Sequence, residues 1–173
     1  MRPLTLRPLA AALAMSLGGV SVGFALTCPA GFTLNAPNSR YVVQTDTSQV
    51  KDINTTLIWQ RCSVGQTGST CTGSPTYMSW QAALAAAATA GSSGGFAWRV
   101  PNFKELLSLA ETACYNPAIN PSMFPGTSSE GYWSSSSFAG FPSFAWYVEF
   151  NDGYDYFGDK TYIFNVRLVR SSQ

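Results

Sequence analysis

Glu149, Asp152, Asp155 and Asp159 stand close together near the end of the chain. Carboxylates in pairs hydrolyse glycosides, one protonating the leaving oxygen while the other attacks or activates water. Carboxylates in clusters hold calcium through their oxygens. Here the acids surround Asn151-Asp152-Gly153, a turn sequence, where acidic side chains are ordinarily just solvated. Ser134, Ser135, Ser136 and Ser137 offer hydroxyls, but a serine attacks only with a base beside it. The chain has no histidine, which removes Ser-His-Asp and Cys-His systems and histidine metal sites together. The serines read as turn and edge-strand hydroxyls. No catalytic residue, metal or cofactor is expected, and the protein is read as a non-enzyme.

Cys28, Cys62, Cys71 and Cys114 are the remaining reactive groups. Without histidine or a CxxC spacing they make a poor zinc site. An even count in an exported chain implies a pair of disulfides, with three connectivities open. Cys62 and Cys71 bracket a polar, glycine-containing stretch, which favours bonding them locally and leaves Cys28 for Cys114.

Export is read from the start of the chain. Arg2 and Arg7 precede an apolar run from Leu9, and Gly23 and Ala25 supply the small residues of a cleavage site. Residues 1–25 therefore read as a signal peptide and 26–173 as one domain, secreted, periplasmic or at the cell surface. Interruption by Gly18-Gly19 argues against a retained membrane anchor, and no later segment is apolar and long enough to span. Cleavage removes both early arginines and leaves a formal charge of −1, so neither nucleic acid nor an anionic membrane is an expected partner.

The elements that must position these groups follow from pattern. Arg40–Val43 and Thr55–Trp59 are rich in β-branched and aromatic residues, as strands are. A first helix starts at Ser79 as N-cap and ends at Gly91, with Trp80, Leu84 and Ala87 or Ala88 facing inward, and residues 91–95 form a loop. A second helix opens on an Asn102/Glu105 capping box and buries Phe103, Leu106, Leu107 and Ala110. Proline-punctuated loop follows Cys114. Thirteen of the 24 aromatic residues then fall between Tyr132 and Phe164, a density that indicates folded sheet rather than a disordered tail. Asp152-Gly153 between two β-like runs predicts a hairpin. Strands, two helices, then strands make the fold class α+β.

Alternation in the run from Phe144 puts Phe144, Trp146, Val148 and Phe150 on one face and Ala145, Tyr147 and Glu149 on the other. Val166 and Leu168 read as core, with Asn165 and Arg167 opposite, and all five tryptophans as core rings. Tyr154, Asp155, Tyr156, Phe157, Asp159, Lys160 and Tyr162 differ. They lie between the hairpin turn and the last strand and mix rings with hydrogen-bonding groups, as binding loops do. They are the expected ligand-binding residues, with Phe141 and Ser143 as an adjacent rim and Phe138 beside them.

The words "TTLIWQRC", "TYMSWQAAL", "WRVPNFKEL", "CYNPAINPSMFP", "YWSSSS", "AWYVEFNDG" and "VRLVR" occur here in the order found in the Lcl C-terminal domain family, which the chain resembles from about Arg40 to Arg170. The family takes its name from the end domain of a collagen-like bacterial adhesin. The resemblance implies a C-type-lectin-like fold related to the formylglycine-generating enzymes: two helices on a small, twisted, mostly antiparallel sheet with long loops. It implies an adhesin-like module that recognises an extracellular glycan or protein, with a homo-oligomer as an open option. Variable receptor proteins of diversity-generating retroelements are an alternative in the same fold, and a formylglycine-generating or hydrolytic enzyme a weaker one. The cysteine pair of those enzymes has no counterpart, since no cysteine follows Cys114. Thr55-Thr56-Leu57 departs from the Thr-Gly-Leu usual in the family, which predicts one altered turn.

Overall fold

The computed structural model describes residues 27–172; the expected signal peptide lies outside the described residues. Strands β1 (Tyr41–Val43), β2 (Gln49–Asp52) and β3 (Ile58–Gln60) come first. Helices α1 (Trp80–Gly94) and α2 (Phe103–Leu107) follow, then β4 (Gly131–Ser137), β5 (Phe144–Glu149), β6 (Tyr154–Asp159) and β7 (Val169–Arg170). The class is α+β, as expected. The strands form two antiparallel sheets rather than one: β1-β2-β3-β7 and β4-β5-β6.

β1 and β2 are tied where Arg40 Nε and Nη2 donate to the Asp52 carboxylate at 2.9 and 2.5 Å, both side chains being buried. The turn after Asp52 carries Thr56 at φ 61°, so the altered triplet falls on a left-handed position. β3 then pairs with β7 through Trp59 and Val169, joining the two ends of the domain.

α1 begins at Ser79, whose hydroxyl accepts the Ala82 N–H. It does not stop at Gly91. It continues to Gly94, because Ser92 and Ser93 donate their hydroxyls to carbonyls one turn back, and Gly95 at φ 68° ends it. Its buried residues are Ala83 and Ala87, while Trp80 and Leu84 are half-buried and Ala88 is exposed. The α2 capping box is present in both directions.

Two apolar clusters make the core. Trp59, Leu106, Ile119, Phe124, Tyr132 and Phe150 anchor one; Ile58, Ala83, Trp98, Trp133, Ala145 and Leu168 anchor the other. Burying an Ile, Leu or Phe side chain among them contributes about 1.5–3 kcal/mol. The proline-rich loop after Cys114 is part of the core, with Ala118, Ile119 and Phe124 inaccessible. Trp80 and Trp146 remain partly exposed, so the core takes three of the five tryptophans fully. Asn165 and Arg167 do not face outward: the whole run Asn165–Val169 is buried. The segment leaves β6, bridges to β4 at Tyr132–Asn165 and passes between the sheets, so it has no solvent side. Cys28 bonds Cys114, and Cys62 bonds Cys71.

Candidate functional site

The β5–β6 hairpin closes on Gly153 at φ 80°, whose N–H donates to Glu149 O at 2.8 Å. Asp152 builds the turn from the side-chain end. Its Oδ1 accepts the Tyr154 N–H at 3.0 Å and its Oδ2 accepts the Tyr156 hydroxyl at 2.8 Å. The register then sets Tyr154 against Glu149, Tyr156 against Tyr147 and Phe157 against Trp146. The residues after the turn, a β-like run in the sequence, form an edge strand of the β4-β5-β6 sheet that continues to Asp159. Strand alternation divides them between two faces.

One face carries Tyr154, Tyr156 and Gly158. Tyr154 is 66% exposed, and the Tyr156 ring stacks on Tyr147 at 5.7 Å. Phe164 lies 4.3 Å from Tyr147 and 4.7 Å from Trp133, and the exposed Tyr162 stands edge-on to it. Gly131 makes room for this layer, since a Cβ there would sit 2.9 Å from Phe164 Cδ1 and 3.1 Å from Tyr147 Cδ2. Glu149 is on the same face. Burial, then the charges of Asp152 and Glu130, push its carboxyl up to about 6. Glu130 also accepts the hydroxyl of the exposed Tyr77 at 2.5 Å, which raises the Tyr77 pKa. Tyr77 and Glu130 in turn wall a cleft of about 440 Å³ lined by Gln66, Ser74, Thr127, Ser128 and Ser129.

The opposite face carries Asp155, Phe157 and Asp159. Phe157 is 49% exposed and stacks on Phe138 at 4.3 Å. Phe138 continues to Phe141 at 6.1 Å and to Trp146 at 5.1 Å, and Trp146 stacks on Phe103 of α2 at 5.0 Å. Asp159 Oδ1 accepts both the N–H and the hydroxyl of Thr161, which lowers its pKa and makes it a turn residue. Lys160 is engaged within the chain. Its Nζ donates to Ser137 Oγ at 2.9 Å and to Pro142 O at 2.7 Å, 4.2 Å from the Trp80 ring centre. Ser143 contributes its carbonyl, which takes the Lys160 N–H.

The expected binding residues are thus not one surface. Tyr154, Tyr156 and Tyr162 lie together; Phe157 and Phe141 lie together on the other side, with Asp155 and Asp159 in the same row as Phe157. Arg167, read in sequence as facing away from the core, is inaccessible and donates to Gln60 O and Thr127 Oγ1 inside the fold. Tyr77, Glu130 and the cleft serines were not anticipated. Tyr77 and Glu130 are 53 positions apart, and no local pattern joins them. The serine run acts structurally: Ser134 donates to Trp146 O, and Ser136 accepts the Phe103 N–H at the start of α2. Among the described residues no three His, Cys, Asp or Glu side chains gather as a metal site, and no helix is long and apolar enough to cross a membrane.

The model of the Lcl C-terminal domain family matches residues 48–170, from the residue before β2 to the last residue of β7. No curated protein and no solved structure matches the chain. The match spans well over half of the sequence, and the chain belongs to the Lcl C-terminal domain family.

Proposed function

We propose that this adhesin-like module acts outside the cytoplasm as a binder of an uncharged glycan, which it takes on the tyrosine-bearing face of β6. The observation that carries the reading is the grouping of exposed Tyr154, Tyr156, Tyr162 and Tyr77 around Glu130, Asp152 and a hydroxyl-lined cleft. Aromatic rings with a polar tip supply apolar contact and a hydrogen bond at once, and a sugar ring presents C–H groups on one side and hydroxyls at its rim. Carboxylates accept hydroxyl hydrogens strongly. Shallow, preformed polar clefts with flanking rings suit small ligands. The acids oppose a sulfated ligand, which would need free cations, and Lys160 and Arg167 are both engaged within the fold. Two disulfides suit an oxidising compartment, secreted, periplasmic or at the surface. The C-type-lectin-like relation belongs to the same proposal and rests on the sequence words around Trp98–Leu106 and Val166–Arg170.

An array of neutral and sulfated glycans tests this. Neutral oligosaccharides should bind, Tyr154→Ala with Tyr156→Ala should reduce binding at least tenfold, and heparin should fail even at low salt. Retention by heparin, or binding indifferent to both tyrosines, would remove the proposal.

A further inference from the structure

Among the described residues β6 has β5 as its only strand neighbour, and its other edge is open. The Lys160 N–H bond to Ser143 O fixes which groups point where. In an antiparallel ladder hydrogen-bonded pairs alternate. Gly158, Tyr156 and Tyr154 therefore turn their backbone groups toward β5, and Asp155, Phe157 and Asp159 turn theirs outward. Among the described residues only one of these outward groups is used, the Asp159 carbonyl, which accepts the Tyr162 N–H. The N–H groups of Asp155, Phe157 and Asp159 and the carbonyls of Asp155 and Phe157 have no partner among the described residues.

An open edge is a template for another strand. The side chains decide which strand. Asp155, Phe157 and Asp159 share one face, giving an acid–apolar–acid row at alternate positions. A second copy of the chain fits poorly. The symmetric antiparallel register centred on Phe157 would set Asp155 of each copy against Asp159 of the other, and like charges directly opposite are destabilising. The complementary row is cation–apolar–cation at alternate positions. The row reads the same in both directions, so it suits either strand polarity. The exposed Phe157 ring, continued by Phe138 and Phe141, seats the central apolar side chain and offers ring faces to the cations.

We propose that the free edge of β6 adds an extended basic peptide strand, cation-x-apolar-x-cation, through its outward backbone groups and the Asp155–Phe157–Asp159 row. This surface is separate from the tyrosine face and leaves it open to ligand.

Calorimetric titration with synthetic nine-residue peptides tests it. One peptide carries lysine-threonine-isoleucine-threonine-lysine at its centre, a second replaces both lysines with glutamate, and a third and a fourth are the lysine peptide N-methylated on the amides of one edge and of the other. The disulfide-bonded protein should bind the first at least ten times more tightly than the second, and N-methylation of one of the two edges should abolish binding. Asp155→Lys with Asp159→Lys should invert the charge preference. Should the double variant misfold through loss of the Thr161 turn, Asp155→Lys alone, at a side chain with no hydrogen bond among the described residues, should still weaken the lysine peptide at least threefold. No binding, equal binding of the two charged peptides, or indifference to N-methylation of either edge would overturn the proposal. So would sedimentation as a dimer that Phe157→Lys splits, which would give the edge to a second copy.

Discussion

Thr56 holds φ 61° with a β-branched side chain, in a turn where the family usually has glycine. A left-handed conformation costs an L residue about 1–2 kcal/mol, while glycine loses about 0.5–1 kcal/mol more chain entropy on folding. The Thr56 side chain is exposed and makes no hydrogen bond among the described residues that would offset the strain. Thr56→Gly is therefore expected to stabilise by about 0.5–1 kcal/mol, read as a rise in the denaturant midpoint at unchanged slope. Glu149 stores energy differently. Its carboxyl is pushed up to about 6 from an ordinary 4.5, so the folded state holds this proton more tightly than the unfolded chain. The resulting stabilisation is complete below about pH 4.5 and disappears as pH rises through about 6. The group is partly solvated, so the loss is screened to about 1 kcal/mol or less. Glu149→Gln removes the titration. Thermal melts should show the variant matching the native chain at pH 4 and exceeding it at pH 7.5, by a rise of a few degrees at most.

Elements built from local contacts could be read from the sequence, and those built from distant ones could not. The α2 capping box needs only Asn102 and Glu105, three residues apart, and both of its hydrogen bonds form. The hairpin turn at Gly153 is equally local. α1 was read four residues short because Gly91 resembles a stop, and the serine hydroxyls that carry the helix onward leave no distinctive pattern. The run after the hairpin turn reads as β-like through Phe157 and β6 extends it to Asp159, but the grouping of its residues into one binding surface does not hold. The acids and the glycine of β6 weigh against a strand, but β5 supplies a complete ladder partner, and pairing outweighs propensity. Along the strand, alternation separates the tyrosines from Phe157, whereas taking the stretch as one mixed surface puts them together. The tyrosine face then depends on Gly131, in β4 on the far side of β5, lacking a side chain. Gly131→Ala should force Phe164 and Tyr147 to move and cost about 1–3 kcal/mol, as overpacking does. The displaced Tyr147 should carry Tyr156 with it, visible as a changed tyrosine near-UV circular dichroism spectrum. An unchanged spectrum and stability would mean that the rings over β4 and β5 are looser than their spacing indicates.

Closure of the whole domain rests on residues that are far apart in sequence. β3 meets β7, and Arg167 reaches from the segment before β7 to Gln60 O at the end of β3 and to Thr127 Oγ1 ahead of β4. Among the described residues no carboxylate pairs with that guanidinium. Burial lowers its pKa, and carbonyls together with the Phe124 and Tyr132 rings surround it. Nothing in the alternation of the last strand announces this, because the alternation assumes a solvent side that does not exist. The cysteines were the exception, since their even count and the short polar stretch between Cys62 and Cys71 pointed to the pairing found. The two bridges should differ in weight. Cross-linking removes loop entropy from the unfolded chain in proportion to the logarithm of loop length. A separation of 86 residues for Cys28–Cys114 corresponds to about 4.6 kcal/mol, and one of 9 for Cys62–Cys71 to about 2.7 kcal/mol. The long bridge also fixes residues ahead of the first strand: Asn35 and Ala36 donate their N–H groups to the buried Glu111 carboxylate, near Cys114 in sequence. Replacing Cys28 and Cys114 with serine should therefore cost more, by about 2 kcal/mol, than replacing Cys62 and Cys71. Chemical denaturation of the two double variants measures the difference directly. Equal losses would show that the segment before Asn35 is already released in the folded chain, and that the domain is closed by β3, β7 and Arg167 without help from its N-terminus.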